Sequence, residues 1–373
     1  MKITSIILSL ASLAVLSACD EHTVLPDRMG EPVKATDVVV EDISLIAPKS
    51  DGSFVVAVNM GDDSTAALAH VGSKGVISVS QPVRHYGWLQ MYSNASEEYL
   101  LTSYYVDNEE YQTVRSVQKF DRDLTLELNT SVNRDYITLL DNGDVASFDN
   151  DYDNFKLLMH IVGNSFTYYL GDIFMFDHVL PFEDMVMLYS YSGEFKIYFT
   201  DGTYYCGGSF ADYGYLESVR YADGSLYFVV SVRSIDAISP HNWRIIKTGI
   251  DGTPQFVCEL VSEVMSNNFS VTGDTLITTG FYPSDYAEKY GCGVIYLIDN
   301  NNGKLIRTIP MKYSGCYIMP FYVSADRKGG YNVYAVRRNY FDESASFLIG
   351  NSYSGPLYIY HTADLNNLQI NNR

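Results

Sequence analysis

Asp149-Asn150-Asp151-Tyr152-Asp153-Asn154 sets three carboxylates at alternate positions of the 373-residue chain. Calcium is bound by hard oxygen donors, and one tight loop can supply several of them. The run is not an EF-hand loop. Asn154 stands sixth, where glycine is required, and His160 stands twelfth, where a bidentate glutamate is required. Two readings stay open for Asp149, Asp151 and Asp153: a calcium site or a solvated turn. No other cofactor is called for. Asp299, Asn301 and Gly303 repeat the pattern more weakly and read as a hairpin turn.

A second set couples rings to polar groups. His85, Tyr86, Trp88, Tyr111, His241, Trp243, Tyr286 and Tyr340 lie in or beside segments rich in Asp and Glu. An aromatic plane packs against the apolar C–H face of a sugar ring, while carboxylates accept bonds from its hydroxyls. The same composition provides aromatic anchors within an acidic field, which suits a protein interface. A hydrolase needs two converging carboxylates, for which Asp107, Asp149 and Asp285 are available. His85, His178 and His241 are the available bases. The sequence has no Gly-x-Ser-x-Gly nucleophile turn, phosphate-cradling loop or His-Glu-x-x-His helix, and Gly207-Gly208-Ser209 lacks a partner pattern. The expectation is a non-catalytic binding module whose ligand is a polysaccharide or glycan. The alternatives are a protein scaffold in an envelope complex and a glycan-active hydrolase or lyase.

Charge narrows the partners. Lys plus Arg number 25 against 45 Asp plus Glu, a net charge of −20. With no basic stripe anywhere, nucleic acid is excluded as a partner. At 47% hydrophobic and 19% charged residues, the chain can bury a core.

The elements that must position these residues are strands. Phe54-Val55-Val56-Ala57-Val58, Leu226-Tyr227-Phe228-Val229-Val230 and Val294-Ile295-Tyr296-Leu297-Ile298 are rich in β-branched and aromatic residues, with turn residues beyond them. Turn signals fall into two interleaved series. One runs through Ser73-Lys74-Gly75, Arg122-Asp123, Gly163-Asn164, Asp201-Gly202, Asp251-Gly252, Asn302-Gly303 and Ser354-Gly355. The other runs through Asp51-Gly52, Asn94 to Ser96, Asn142-Gly143, Asp184, Asp223-Gly224, Gly273-Asp274 and Lys328-Gly329. The repeat is about 50 residues at its clearest, the size of a four-stranded propeller blade.

On this evidence the body resembles a seven-bladed β-propeller of the WD40-like or quinoprotein-like kind, an all-β fold of four-stranded antiparallel blades. Six or eight blades, or a pair of β-sandwiches, are the alternatives. Gly-His and Trp-Asp signatures do not recur, and the only tryptophans are Trp88 and Trp243, so no quinone cofactor is implied. The crowded signals near 180–212 mark the weakest blade. Val38 to Ile46 is expected to pair with the last blade and close the ring. The loops after each second strand then share one face: 59–64, 106–112, 148–154, 233–243, 281–292 and 338–346. The connection from Gln81 to Trp88 brings His85, Tyr86 and Trp88 to the same end. That face is the expected site.

The N-terminus is an address. Lys2 precedes an apolar run from Ile3, which ends in Leu16-Ser17-Ala18-Cys19. This resembles a bacterial lipoprotein signal with its lipobox, which implies cleavage before Cys19 and lipidation of that residue. Asp20 and Glu21 resemble the surface-export signal of Bacteroidetes lipoproteins; in enterobacteria an Asp there would imply inner-membrane retention. The expected organisation is a signal peptide over 1–18, the lipidated cysteine and a tether over 19–35, and the propeller over 36–373. The resemblance implies a cell-envelope protein, on the outer membrane or cell surface by preference. Its membrane contact is through the N-terminal lipid alone, and the domain is expected to be monomeric. An exported chain can form disulfides. Cys206, Cys258, Cys292 and Cys316 allow three pairings, with Cys292 and Cys316 closest in sequence. No Cys/His spacing supports zinc.

Overall fold

A computed structural model describes residues 33–40, 45–59, 65–72, 75–85, 89–107, 112–134, 136–163, 166–232, 242–262, 264–282, 292–313, 316–325, 330–339, 355–362 and Leu365. The described residues form seven four-stranded antiparallel blades in a ring, a seven-bladed β-propeller. Blades one to six span 46–79, 89–132, 136–172, 178–209, 215–261 and 264–313. The seventh takes three strands from 316–362, and its outermost strand is Val33–Val40, paired from Val33 opposite Ile359 to Val40 opposite Gly355. The two ends of the chain thus close the ring, which removes a free edge. The closing strand begins inside the stretch read as tether. Ile46 belongs instead to the inner strand of blade one, Ile46–Pro48. No helix among the described residues is long and apolar enough to cross a membrane.

Turn chemistry explains why the chain reverses where it does. Asp51, Asp121, Asp201, Asp251 and Asp299 each accept the backbone N–H two residues on, at 2.8–3.0 Å. This local bond favours a turn over continued strand. Gly252 and Gly303 follow with φ of +79° and +72°. A Cβ on either would fall 2.6 or 2.4 Å from a phenylalanine ring of the preceding blade, Phe195 or Phe256. Both the backbone angle and the close approach therefore require glycine there.

Alternation along each strand sends side chains to the two neighbouring blades. The core is accordingly divided into seven clusters, one between each pair of blades. Between blades seven and one, Phe54 meets Tyr334 edge to face at 4.6 Å, and the Tyr334 and Ser324 hydroxyls both donate to the Gly52 carbonyl. Between blades five and six, the Tyr227 hydroxyl donates to Asn300 Oδ1 at 2.8 Å and Tyr296 donates to the Val261 carbonyl at 2.5 Å. These tyrosines are structural: a large apolar ring fills the interface and its hydroxyl satisfies a turn or strand end.

Candidate functional site

Among the described residues, six of the seven inter-blade clusters contain eleven to thirteen buried apolar residues, whereas the one between blades two and three contains five: Leu100, Val117, Ile137, Leu139 and Val145. Outward from them the interface opens into a groove of about 280 Å³ on the flank of the ring. One wall is the outermost strand of blade two, Leu126–Val132, with Arg134 beyond it. The other is blade three, where Ser147, His160 and Thr167 lie side by side on its second, third and fourth strands.

Polar pairing organises the groove. Arg134 donates to Asp149 Oδ2. Asp149 Oδ1 lies 3.2 Å from His160 Nε2, and His160 Nδ1 lies 2.9 Å from the Thr167 hydroxyl. A carboxylate only accepts, so the network assigns the ring proton to Nε2 and makes Nδ1 the acceptor for Thr167. Every member is thereby oriented. The side chains of Arg134 and Asp149 are about one-third exposed (32% and 35%), while Ser147 on the floor is buried. No carboxylate is among the described residues lining the groove, which Asp149 borders through its bonds to Arg134 and His160, so the two-carboxylate arrangement of glycosidic hydrolysis is missing from it.

Beside the groove, blades three and four present aromatic rings to solvent. Phe155, Phe166, Tyr152, Tyr169, Tyr204, Tyr191 and Tyr205 are all exposed. Lys156 lies 5.3 Å from the centre of the Tyr169 ring, and the Tyr152 hydroxyl is 3.7 Å from the Met175 sulfur.

Several expected site residues stand elsewhere. Trp243 is not a loop platform. The third strand of blade five, Asn242–Thr248, has already begun at that point. Alternation turns the indole into the core between blades five and six, 8% exposed, where its N–H donates to the Ser262 carbonyl at 2.9 Å. His85 is buried in the connection between blades one and two, and neither ring nitrogen has a partner among the described residues. His178 stacks on Tyr189 at 5.1 Å and meets Tyr191 edge on at 4.7 Å; burial holds its pKa below the usual histidine range. Cys206 and Cys258 are free thiols, not disulfide partners. Burial, with Glu259 adding to it, pushes Cys258 up to about 11. Cys19, Tyr86, Trp88, Tyr111, His241, Tyr286 and Tyr340 lie outside the described residues, as do the side chains of Cys292 and Cys316. The aspartate run is split in its bonding. Asp149 is engaged by Arg134 and His160, while Asp151 accepts from the backbone and side-chain nitrogens of Asn154. Among the described residues no group of three His, Cys, Asp or Glu is placed to hold a metal ion.

Arg134, His160, Thr167 and Phe166 were not among the expected site residues. The available signal was polar side chains at Ser147, Asp149 and His160, on the strand face where blade five carries the apolar Leu226, Phe228, Val230 and Ile246.

No protein-family model and no curated protein matches the chain. Among solved structures it is similar to the computationally designed Ika8 protein at 9% identity, TM-score 0.47, covering 89% of this chain and 100% of that one. It is similar to BamB from Moraxella catarrhalis at 10% identity, TM-score 0.44, covering 89% and 99%. Pyrococcus horikoshii acylaminoacyl peptidase matches at 13% identity, TM-score 0.45, covering 79% of this chain and 50% of that one. At such values the fold assignment rests on the strand order of this chain.

Proposed function

We propose that this protein is a lipid-anchored, non-catalytic binding module of the bacterial cell envelope, at the outer membrane or cell surface, and that it holds a glycan on the flank of blades three and four. The observation that supports the ligand is the distribution of exposed rings. Every exposed Phe and Tyr among the described residues lies on those two blades or their loops, apart from Tyr215 at the start of blade five. Rings lose little conformational entropy on binding, and their planes match the C–H faces of sugars. The anchor is supported by Leu16-Ser17-Ala18-Cys19.

The experiment is affinity electrophoresis of the purified protein through gels containing polysaccharides, with calcium and with chelator. Retardation by at least one polymer, lost in Phe155→Ala and Tyr169→Ala, is expected. Lack of retardation across a broad panel sinks the glycan reading. Loss with chelator would establish calcium as part of the site. Labelling with radioactive palmitate, abolished by Cys19→Ala, tests the anchor; label retained in the variant excludes Cys19 as the attachment point. A second reading, an envelope protein as ligand, is favoured by Met175, an exposed and adaptable apolar side chain against Tyr152.

A further inference from the structure

We infer that the groove between blades two and three is a subsite for a single unit of a neutral sugar chain, selecting hydroxyl-rich units over acidic ones. The inference rests on the glycan reading above and adds the site and the sugar class.

Size sets the first limit. Pockets for drug-sized ligands run from about 300 to 1,000 Å³, and this groove, at about 280 Å³, falls below that range. One ring with its substituents is the appropriate load. Charge sets the second. Arg134 is the only Lys or Arg among the described lining residues, and its guanidinium is already paired with Asp149. Counting histidine as neutral, the pair leaves no net charge, in a chain that carries −20 overall. A uronate or phosphate would meet a guanidinium whose charge Asp149 already balances, against the field of the whole chain.

The donor and acceptor pattern sets the third limit. Each sugar hydroxyl both donates and accepts. Arg134 offers N–H groups beyond the one given to Asp149, and Asp149 keeps lone pairs beyond those used by Arg134 and His160. Thr167 gives its proton to His160, so its oxygen faces the groove as an acceptor, and Thr130 adds another hydroxyl from the opposite wall. An adjacent pair of hydroxyls can therefore bridge Arg134 and Asp149. Phe166, 66% exposed, supplies a ring at the rim. The Thr167–His160–Asp149–Arg134 chain fixes these groups before a ligand arrives, which lowers the ordering cost of binding.

The test is affinity electrophoresis of the purified protein in neutral galactomannan, neutral β-glucan, polygalacturonate and alginate, each at low and high sodium chloride. Retardation by a neutral polymer, unchanged by salt, is expected. Asp149→Asn and Thr167→Val should each weaken it by about tenfold, roughly one strong polar contact. Arg134→Gln should match Asp149→Asn, and the double variant should be no worse than either, because the two act as one unit. Thermal melting of each variant checks the fold, and Thr167 on an exposed strand carries the test if Asp149→Asn melts early. Binding only to the acidic polymers, with loss in salt, overturns the inference. Neutral binding that survives in Asp149→Asn and Thr167→Val, yet is lost in Phe155→Ala, overturns the groove and leaves the glycan reading standing. No retardation by any polymer here or in the broader panel overturns both.

Discussion

Among the described residues, blades four and five meet through thirteen buried apolar side chains, and blades two and three through five, although both pairs are built from the same kind of four-stranded sheet. The second strands show why. In blade five, the side chains directed at the preceding blade are Leu226, Phe228 and Val230. In blade three, the corresponding alternate positions are Val145, Ser147 and Asp149. Phe228 stands 4.3 Å from the Phe210 ring and 5.7 Å from the Phe195 ring, whereas Asp149 binds Arg134 and His160. Two positions on one strand separate a packed interface from an open groove. The ring tolerates the open one because the other six interfaces and the strand closure hold the circle.

The largest expected effect lies at the packed interface. Phe228→Ala should cost about 3–5 kcal/mol, the loss of a buried ring plus the cavity it leaves. Urea unfolding with an unchanged m-value would show it as a lower midpoint; a shift worth less than about 1 kcal/mol would mean that the interface collapses easily and that the contrast is overstated. In the polar interface the sign should reverse. The Thr102 hydroxyl is fully buried on the face toward blade three and has no partner among the described residues. Thr102→Val should therefore stabilise by about 1 kcal/mol, and destabilisation in the same assay would reveal a partner for that hydroxyl.

A third interface sharpens the contrast under acid. Between blades one and two, Lys49 lies 2.9 Å from Glu97, and Ser50 donates to Glu97 through both its backbone and its hydroxyl. Burial alone would raise the Glu97 pKa, but the Ser50 and Lys49 bonds outweigh it and hold it at about 2, against an ordinary 4.5. A carboxyl with a depressed pKa stabilises the fold above about 4.5, and that contribution fades as pH falls toward about 2. The stability gap between wild type and Glu97→Gln should therefore be widest at neutral pH and close across that window. A gap that stays constant in melting curves down to the acid limit would remove the titration argument.

The smallest effect on stability should come from the groove itself. Asp149→Asn should change unfolding by no more than about 1 kcal/mol, since paired charges this exposed contribute little. A much larger loss by denaturant titration would show the groove to be a structural element. These residues would then be holding the blades together, with ligand binding secondary.

Much of the architecture was legible in the sequence because its signals are local. The turns at Asp51-Gly52, Asn142-Gly143, Asp223-Gly224 and Gly273-Asp274 all join first to second strands, and those at Asp201-Gly202, Asp251-Gly252 and Asn302-Gly303 all join third to fourth strands, as their spacing implied. Ser354-Gly355 breaks the series. Gly355 opens the third strand of blade seven, whose fourth strand comes from the other end of the chain, so no hairpin follows. Trp243 was misplaced by the same kind of non-local fact, since only the strand's start at Asn242 decides which way the indole points. The site was legible only as composition. Asp149 stood out as part of an acidic run, but its partners Arg134 and His160 belong to a connection and a neighbouring strand.

By itself the sequence determined the repeat, the strand-forming segments and the turns, because hydrophobic alternation, Asx turns and glycine angles act over a few residues. The tertiary structure alone decided that the closing strand is Val33–Val40 rather than Val38 to Ile46, that Trp243 is core, and that Arg134, Asp149, His160 and Thr167 form one network at the groove. Those outcomes depend on which face of each blade meets which neighbour. That pairing is fixed only when the whole circle is assembled.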